Sequence, residues 1–535
     1  MKVESEQTSP EATHSGFSSS LLAVVIGVAV LAAGWYLSKE QKMTILVVSL
    51  DTTRWDHLTA YGYDKQTTPT LARLAEEGTR FTNARSTTSW TLPSHMSLFT
   101  GLPADVHNVT IDFQVLDTGR RTMGQVFQDN GFHTVGIYSA PYLHGRFGFD
   151  RGMDFYESAT RLPMVYDLPP EQMSRKERME QLEFASHREV TSTRVRNRAL
   201  QSIKNQETRP KAFMFLHFFD PHYDYMAPPE ISQKFVDPGY RGPVNGEGVT
   251  GIPSGIPKKD MAQLMALYDA EIRFVDENLN TVLQSLEDSG RIGSTVVVVT
   301  ADHGEEFFED GKIGHRMGLR EEVIRVPLIF WGPGIIPEGL VIDDEVALYD
   351  ILPTLMDYAG IPDDPLVYGR SLRPLIDGDS LAKRPSHSAL TFLHREGPDY
   401  YTRHDAIVYE GMKYVRRVRV PWSPDNPTMI TNPPDLDSTE VEIYDLAADP
   451  GEQHNLYSLR GQDPRVEGII REFEAETTRQ LNALQTFSPE GMPASDGFQP
   501  ESYEQHLEIL RGLGYLSPVE EATDESSQEE PASAR

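Results

Sequence analysis

The chain contains no cysteine among its 535 residues. That absence excludes disulfides, thiol nucleophiles and zinc–thiolate centres, each of which needs a thiol or thiolate. It assigns no compartment, because disulfide-free proteins occur on both sides of a membrane. Positive charge is scarce as well: 49 Lys and Arg stand against 80 Asp and Glu, a formal net charge of −31. A chain so acidic lacks the basic surface that nucleic-acid binding requires, so no nucleic-acid partner is expected. Part of the charge is local: "VEEATDESSQEEPASAR" at the end holds six acidic residues and one arginine. Residues 518–535 read as an acidic disordered tail.

Long apolar runs are nearly absent too. One stands out: "LLAVVIGVAVLAAGWYL", 17 uncharged residues from Leu21 to Leu37 that end in Trp35 and Tyr36. It meets the short limit of a spanning helix, roughly 17–25 residues, and the aromatic pair suits a membrane interface. The 20 residues before it carry Lys2 as their single Lys or Arg, which favours an uncleaved anchor over a signal peptide. The expected order is a polar tail over 1–20, a membrane anchor over 21–38 and everything else on the extracytoplasmic side. Lys39 and Lys42 follow the run, so the positive-inside rule encodes that orientation weakly.

What is present alternates strand and helix. "TILVVSL" (Thr44–Leu50), "HTVGIYS" (His133–Ser139), "AFMFLHF" (Ala212–Phe218), "TVVVVT" (Thr295–Thr300) and "PLIFW" (Pro327–Trp331) are apolar runs of strand length. Continuous rather than alternating apolarity predicts strands buried on both faces, hence a largely parallel central sheet sandwiched by helices. "TPTLARLAEEG" and "DMAQLMALYDAEIRFVDENLNTVLQSLEDSG" carry helical periodicity, the second closed by Gly290. The Gly/Pro-rich segment before the long helix reads as a surface loop. From about residue 386 the rhythm changes to short strands such as "DAIVYEGMKYVRRVRV" followed by helices. An α/β domain over 43–385 and a smaller α+β subdomain over 386–517 are expected; no internal repeat is visible.

Sites in open α/β sheets form beyond the carboxyl ends of strands. Three such ends carry polar residues: Asp51-Thr52-Thr53-Arg54, then "HFFDPHYDY" with His217, Asp220 and His222, then "ADHGEEF" with Asp302 and His303. Carboxylate and imidazole together suit a divalent cation. Alone, Asp-His-Gly also reads as a turn; together with Asp51 the metal reading is favoured. "TLPSHMSLFTG" (91–101) reads as a helix start, with Thr91 as N-cap, Pro93 in the first turn and Ser94 as a further cap. A helix N-terminus also attracts anions, and a hydroxyl there that touches a cation becomes a nucleophile. His57 in "WDHLTAYGY" reads as structural.

The ordered combination "TILVVSLDTTRWDH…YGYDKQTTPTLARLAEEGTRFTNARS…TLPSHMSLFTG…FLHFFDPHYDY…TADHGEEF", followed by "RVPLIFWGPG", "LYDILPTLMDYAGIP", "GRSLRPLI" and "IYDLAADPGEQHNL", resembles the sulfatase family of the alkaline-phosphatase-like superfamily. The similarity runs over roughly residues 43 to 516. The resemblance implies one divalent ion (Ca, Mg, Mn or Zn) on Asp51, Asp302 and His303, with Thr91 at the nucleophile position and as fourth ligand. It implies a catalytic role for His222 near the substrate anion. His315 or Lys312 in "EDGKIGH" falls near the leaving oxygen, and His95, Arg54 and His217 are candidates for holding substrate. Arg54 reads equally as a balance for local carboxylates. A two-metal variant would add Asp220, His222 and His315.

Three departures matter. Sulfatases convert a cysteine or serine to formylglycine, whose hydrate attacks sulfur and expels sulfate by collapse to the aldehyde. Thr91 cannot form that aldehyde, so no formylglycine is expected; threonine is the nucleophile in superfamily relatives that make or break phosphoesters. His95 replaces the signature arginine, and Thr52 replaces a second acidic ligand. Three readings follow: a phosphohydrolase or phosphotransferase, a sulfate-ester hydrolase that uses an unmodified hydroxyl, or a non-catalytic binder of anionic glycans or lipids. In the first, Thr91 attacks while His222 with His315 or Lys312 protonates the leaving oxygen. In each, the partner is an anionic ester carried on a glycan, a lipid or a small molecule.

Overall fold

The computed structural model describes residues 42–111, 114–161, 189–206, 209–394, 400–421 and 439–487. The expected anchor and acidic tail lie outside these residues. Among the described residues no helix is long and apolar enough to cross a membrane. The described residues from Met43 onward belong to one compact unit.

Fourteen strands organise the described residues. They are β1 (Met43–Leu50), β2 (Thr79–Arg85), β3 (His133–Tyr138), β4 (Phe155–Ser158), β5 (Lys211–Phe218), β6 (Thr295–Ala301) and β7 (Glu306–Phe307). Then come β8 (Ile313–Gly314), β9 (Arg325–Trp331), β10 (Leu340–Ala347), β11 (Ser386–His394), β12 (Tyr400–Tyr409), β13 (Met412–Pro421) and β14 (Glu440–Asp445). The large sheet has eight strands in the order β10-β2-β9-β6-β1-β5-β3-β4. Every neighbouring pair is parallel except the two that β9 makes, with β2 and β6. The sheet is therefore mostly parallel, as the apolar runs predict, with β9 alone reversed.

Burial on both faces explains those runs. Along β1, Ile45 and Val47 pack into one apolar layer, while Leu46, Val48 and Leu50 pack into the other. Strands β5 and β6 alternate in the same way, with Phe213, Phe215, Val296 and Val298 on the first side. The helix Lys258–Asp288 closes the second layer through Leu264, Ile272, Leu279 and Leu286. Ser289 is its C-cap, and Gly290 follows at φ +67°.

The second sheet, β11-β12-β13-β14, is wholly antiparallel. Its β12–β13 hairpin turns on Glu410 and Gly411, both at positive φ (48° and 77°), the conformation of a tight two-residue hairpin. One layer of its apolar residues packs on the helix Pro464–Phe487, where Tyr414 and Phe473 stack at 4.3 Å. Leu390, Ala406, Val415 and Tyr444 join the core of the large sheet instead. Ions reinforce that junction: Lys413, fully buried, pairs with Glu452 at 2.6 Å and Glu321 at 3.3 Å. Arg85 holds Glu321 at 2.8 Å and also pairs with Glu345.

Candidate active site

The carboxyl ends of β1 and β6 lie side by side in register, Leu50 opposite Ala301. The next residue on each strand is an aspartate. Asp51 is held by its backbone N–H on Phe218 O, at 2.9 Å. Asp302 accepts from the backbone N–H groups of His303 (2.9 Å) and Thr52 (3.2 Å) through Oδ1. Thr52 sits at φ 49°, where a β-branched residue costs on the order of 1–3 kcal/mol. Its carbonyl accepts a 2.7 Å bond from the Tyr268 hydroxyl, which helps hold this conformation. Gly304 is required by proximity: a Cβ there would run into the Glu322 carbonyl oxygen.

Asp51, Asp302 and His303 each offer a ligand atom within 4.8 Å of the others. The His303 Nδ1–H donates to Gly304 O at 2.9 Å, so Nε2 carries the free lone pair. That Nε2 lies 3.3 Å from Asp302 Oδ2 and 3.9 Å from Asp51 Oδ1. Both of those carboxylate oxygens are buried without a hydrogen-bond partner. Burial pushes both acids well above the usual carboxylate range, with Glu305 adding to the rise at Asp51 and Asp51 adding to that at Asp302. Buried anionic oxygens without donors are costly unless a cation meets them. Two carboxylate oxygens, an imidazole nitrogen and the nearby Thr91 hydroxyl fit a divalent cation of the Mg, Mn, Ca or Zn class.

Thr91 opens the helix Thr91–Thr100, whose ten residues are all buried. It is not the N-cap, as the sequence led us to expect. Trp90 takes that position with extended backbone and no side-chain capping bond. Thr91 is the first helical residue, and its Oγ1 lies 3.5 Å from His303 Nε2. Ser94 does not cap either: its hydroxyl donates to Asp302 O at 2.7 Å, which fixes the Thr91–Thr100 helix to the end of β6. Gly101 closes the helix at φ 66°.

The histidines divide by position. His95 and His217 lie behind the cluster, fully buried and edge to face at 5.1 Å. His95 Nδ1–H donates to Thr91 O at 2.9 Å, and Nε2 meets the Ser49 hydroxyl at 2.9 Å. His217 Nε2–H donates to Asp51 Oδ2 at 3.0 Å. Burial holds His95 well below its ordinary value and brings His217 down to about 3, which favours the neutral imidazole at both. Their expected substrate contact is corrected: His217 orients a metal-site carboxylate and His95 braces the first helical turn. His222 stacks on Phe219 at 4.5 Å and donates from Nδ1 to Tyr223 O at 2.8 Å. His315 lies 4.5 Å from the His303 ring and 5.1 Å from that of His222.

Two further expectations change. Lys312 stands apart, 41 % exposed and paired with Asp310 at 3.0 Å; of the two leaving-group candidates, His315 is the one beside the cluster. Arg54 is spent on Asp56 (2.8 Å), Glu309 and the Glu305 carbonyl (3.1 Å), so it balances carboxylates rather than facing a substrate. Asp220 caps the helix Ser192–Asn205 by accepting from Thr191 N (2.6 Å) and Ser192 N (2.7 Å). That commitment removes it from a second metal site. Two residues escaped the sequence reading. Glu305 is fully buried and accepts from His315 Nδ1–H at 3.0 Å. Arg316 stacks 4.0 Å over Trp90, the residue before Thr91, and its N–H donates to Ser89 O at 3.1 Å. Their adjacency to His303 and His315 in "DHGE" and "GHR" was the available signal.

A sulfatase family model matches residues 43–361. The chain belongs to the sulfatase family. It is 26 % identical over 457 residues to the protein named uncharacterized sulfatase YidJ of Escherichia coli (strain K12), covering 78 % of this chain and 83 % of that one. Among solved structures it is similar to one described as BT4656 in complex with its substrate D-glucosamine-2-N,6-O-disulfate. That likeness has a TM-score of 0.64 and 19 % identity over 83 % of this chain and 99 % of the other. The phosphonate monoester hydrolase of Agrobacterium radiobacter gives a TM-score of 0.63 and 20 % identity, covering 83 % and 96 %. The chain is thus a sulfatase-family hydrolase with a threonine at the head of the helix facing its metal-type cluster.

Proposed function

We propose that this sulfatase-family enzyme hydrolyses oxyanion esters with Thr91 as nucleophile and favours phosphorus over sulfur. The observation that carries the reading is Thr91 Oγ1, 3.5 Å from His303 Nε2, where two unpartnered carboxylate oxygens converge. Asp51, Asp302, His303 and Thr91 would hold a divalent cation, which would supply positive charge to offset the ester oxygens and lower the cost of removing the Thr91 proton. Thr91 Oγ bonds to phosphorus in line with the leaving oxygen, and its proton passes to Asp51, whose Oδ1 and the Thr91 hydroxyl both lie within 4 Å of His303 Nε2. The phosphorus–oxygen bond to the alcohol breaks, and that oxygen takes a proton from His315. His315 Nδ1 is committed to Glu305, so Nε2 carries the exchangeable proton. In the second half a water oxygen attacks phosphorus and gives its proton to His315 Nε2. Thr91 Oγ leaves and regains its proton from Asp51. Arg316 and His222 receive the ester's non-bridging oxygens.

Phosphothreonine is open to in-line attack by water, whereas a sulfated threonine lacks the aldehyde exit that formylglycine gives. The phosphonate monoester hydrolases among the structural neighbours support the same choice. The names of relatives such as N-acetylglucosamine-6-O-sulfatase of Bacteroides thetaiotaomicron favour sulfate esters as the second reading. Hydrolysis of paired aryl phosphate, aryl phosphonate and aryl sulfate by the metal-loaded protein separates the two. The phosphorus esters are expected to be preferred, with Thr91→Ala lowering kcat/KM by on the order of 10³-fold or more. A Thr91→Ala-sensitive preference for sulfate would overturn the choice of phosphorus. We further place the enzyme on the outer face of a membrane; the apolar run Leu21–Leu37 supports this. Alkaline-carbonate extraction and protease access in spheroplasts test the placement.

A further inference from the structure

Three buried polar side chains on the helix Lys258–Asp288 hold the stretch of chain that leaves the carboxyl end of β1. Asp276 takes the first-turn N–H groups of Thr70 (2.9 Å) and Leu71 (3.0 Å) in the helix Pro69–Glu76. Asp269 gathers His57 Nδ1 (2.7 Å), the Tyr63 hydroxyl (2.9 Å) and Lys65 Nζ (2.7 Å). Tyr268 reaches the turn beside the metal-type cluster. Its hydroxyl donates to Thr52 O at 2.7 Å and accepts the Arg54 N–H at 2.8 Å, so residues 52 to 54 wrap around one oxygen. That oxygen is firmly placed: Tyr268 is fully buried, with the rings of Phe307, His57 and Tyr225 at 5.0, 5.2 and 5.3 Å from its own.

The clamp holds a conformation that the chain would otherwise leave. Thr52 is left-handed at φ 49°, a region that β-branched side chains disfavour. Its N–H belongs to the peptide that joins it to Asp51, and it donates to Asp302 Oδ1 at 3.2 Å. Asp302 Oδ2 is thereby left as the buried oxygen without a partner, beside Asp51 Oδ1 in the same state. A return of Thr52 to negative φ would turn this peptide against the chain behind it. The donor would swing away from Asp302, and Asp51 would turn with it. Packing alone does not call for the hydroxyl, because a phenylalanine ring has the same body to set among its three aromatic neighbours. The oxygen is needed for the turn.

We propose that Tyr268 is a positioning residue: by holding Thr52 left-handed, its hydroxyl keeps Asp51 and Asp302 set to receive a divalent cation. The inference rests on the metal reading of the cluster and is independent of the choice of phosphorus and of Thr91 as nucleophile. Titration calorimetry on the metal-stripped, full-length protein tests it with no ester present. The probe is whichever of calcium, magnesium, manganese and zinc chlorides wild type binds most tightly. Tyr268→Phe is expected to weaken binding of that ion at least fivefold. Glycine takes positive φ without strain, so in the Thr52→Gly background the same substitution should change the affinity less than twofold. Comparing the two backgrounds cancels whatever Thr52→Gly does alone. Asp276→Asn is the control for a merely structural role: it should lower the unfolding midpoint and leave the ion's affinity as in wild type. Hydrogen exchange on the native protein reads the same coupling without any substitution, since coupling between two events is reciprocal. Saturation with the ion should slow exchange of the Arg54 amide at least fivefold. Unchanged affinity in Tyr268→Phe, an equal loss in both backgrounds, a matching loss in Asp276→Asn, or an Arg54 amide indifferent to the ion would overturn the inference alone. Wild type that binds none of the four ions would overturn the metal reading, and the inference with it.

Discussion

Among the described residues, two buried clusters each bring a histidine and two aspartates within metal-binding distance. One is Asp51, Asp302 and His303; the other is Asp105, His387 and Asp405. Their electrostatics are opposite. At Asp405, burial pushes the acid up, but Arg403 and Arg416 outweigh it and hold it below the usual carboxylate range. Arg403 reaches Asp105 at 2.7 Å through Nη1 and also pairs with Asp405. At Asp51 and Asp302 burial prevails, and the facing oxygens have no partner. Proximity of ligands is therefore a poor guide by itself. What separates a metal-type site from a structural ion network is whether the protein supplies the cation from its own side chains.

The largest expected effect breaks this contrast at its compensated end. Asp405→Asn leaves the buried Arg403 with half its partners and should cost about 3 kcal/mol in urea unfolding. Asp302→Asn, measured without metal, should cost nothing or raise the midpoint. A similar loss in both variants would dissolve the distinction. A slightly smaller effect sharpens the other end. Divalent ion at 100 times its dissociation constant should stabilise the wild type by about 2.7 kcal/mol, Asp302→Asn should show no such gain, and metal analysis should find one ion per chain.

A further effect concerns pH. Both Glu306 oxygens are buried without partners, and burial raises that acid to about 7. A folded value above the unfolded one, about 4.3, gives stability that is present below pH 4 and lost as pH rises through 7. Glu321 behaves inversely. Burial raises it, but Arg85 and Lys413 bring it down to about 2, so its contribution is present above pH 5 and lost as pH falls toward 2. Glu306→Gln should therefore gain stability over wild type between pH 5 and pH 8, followed by thermal unfolding across that range. A constant difference would mean that Glu306 does not titrate there.

Much of the frame was legible because central strands buried on both faces are written as unbroken apolar runs, as in "TVVVVT" of β6. Strand β2, "TRFTNAR", and edge strand β10, "LVIDDEVA", mix polar with apolar residues, and no period announces them. The reversal of β9 left no mark either, since "PLIFW" is equally apolar in either direction. At the site, residues directly after strands could be placed because the strand fixes their end of the sheet. The directions of Glu305, Lys312 and Arg316 depend on the β7–β8 hairpin and the loop after it, which local sequence does not specify. The family resemblance made His95 and His217 candidates for holding substrate; the structure turns their rings inward to Ser49 and Asp51.

The helix that carries Thr91 is enclosed along its whole length. Any enzyme that altered residue 91 would have to reach it while the chain was still being made. If the encoded Thr91 hydroxyl is the attacking group, as proposed, the protein needs no such visitor. It should be competent as soon as it folds, in a host that lacks sulfatase-maturation machinery as readily as in one that has it.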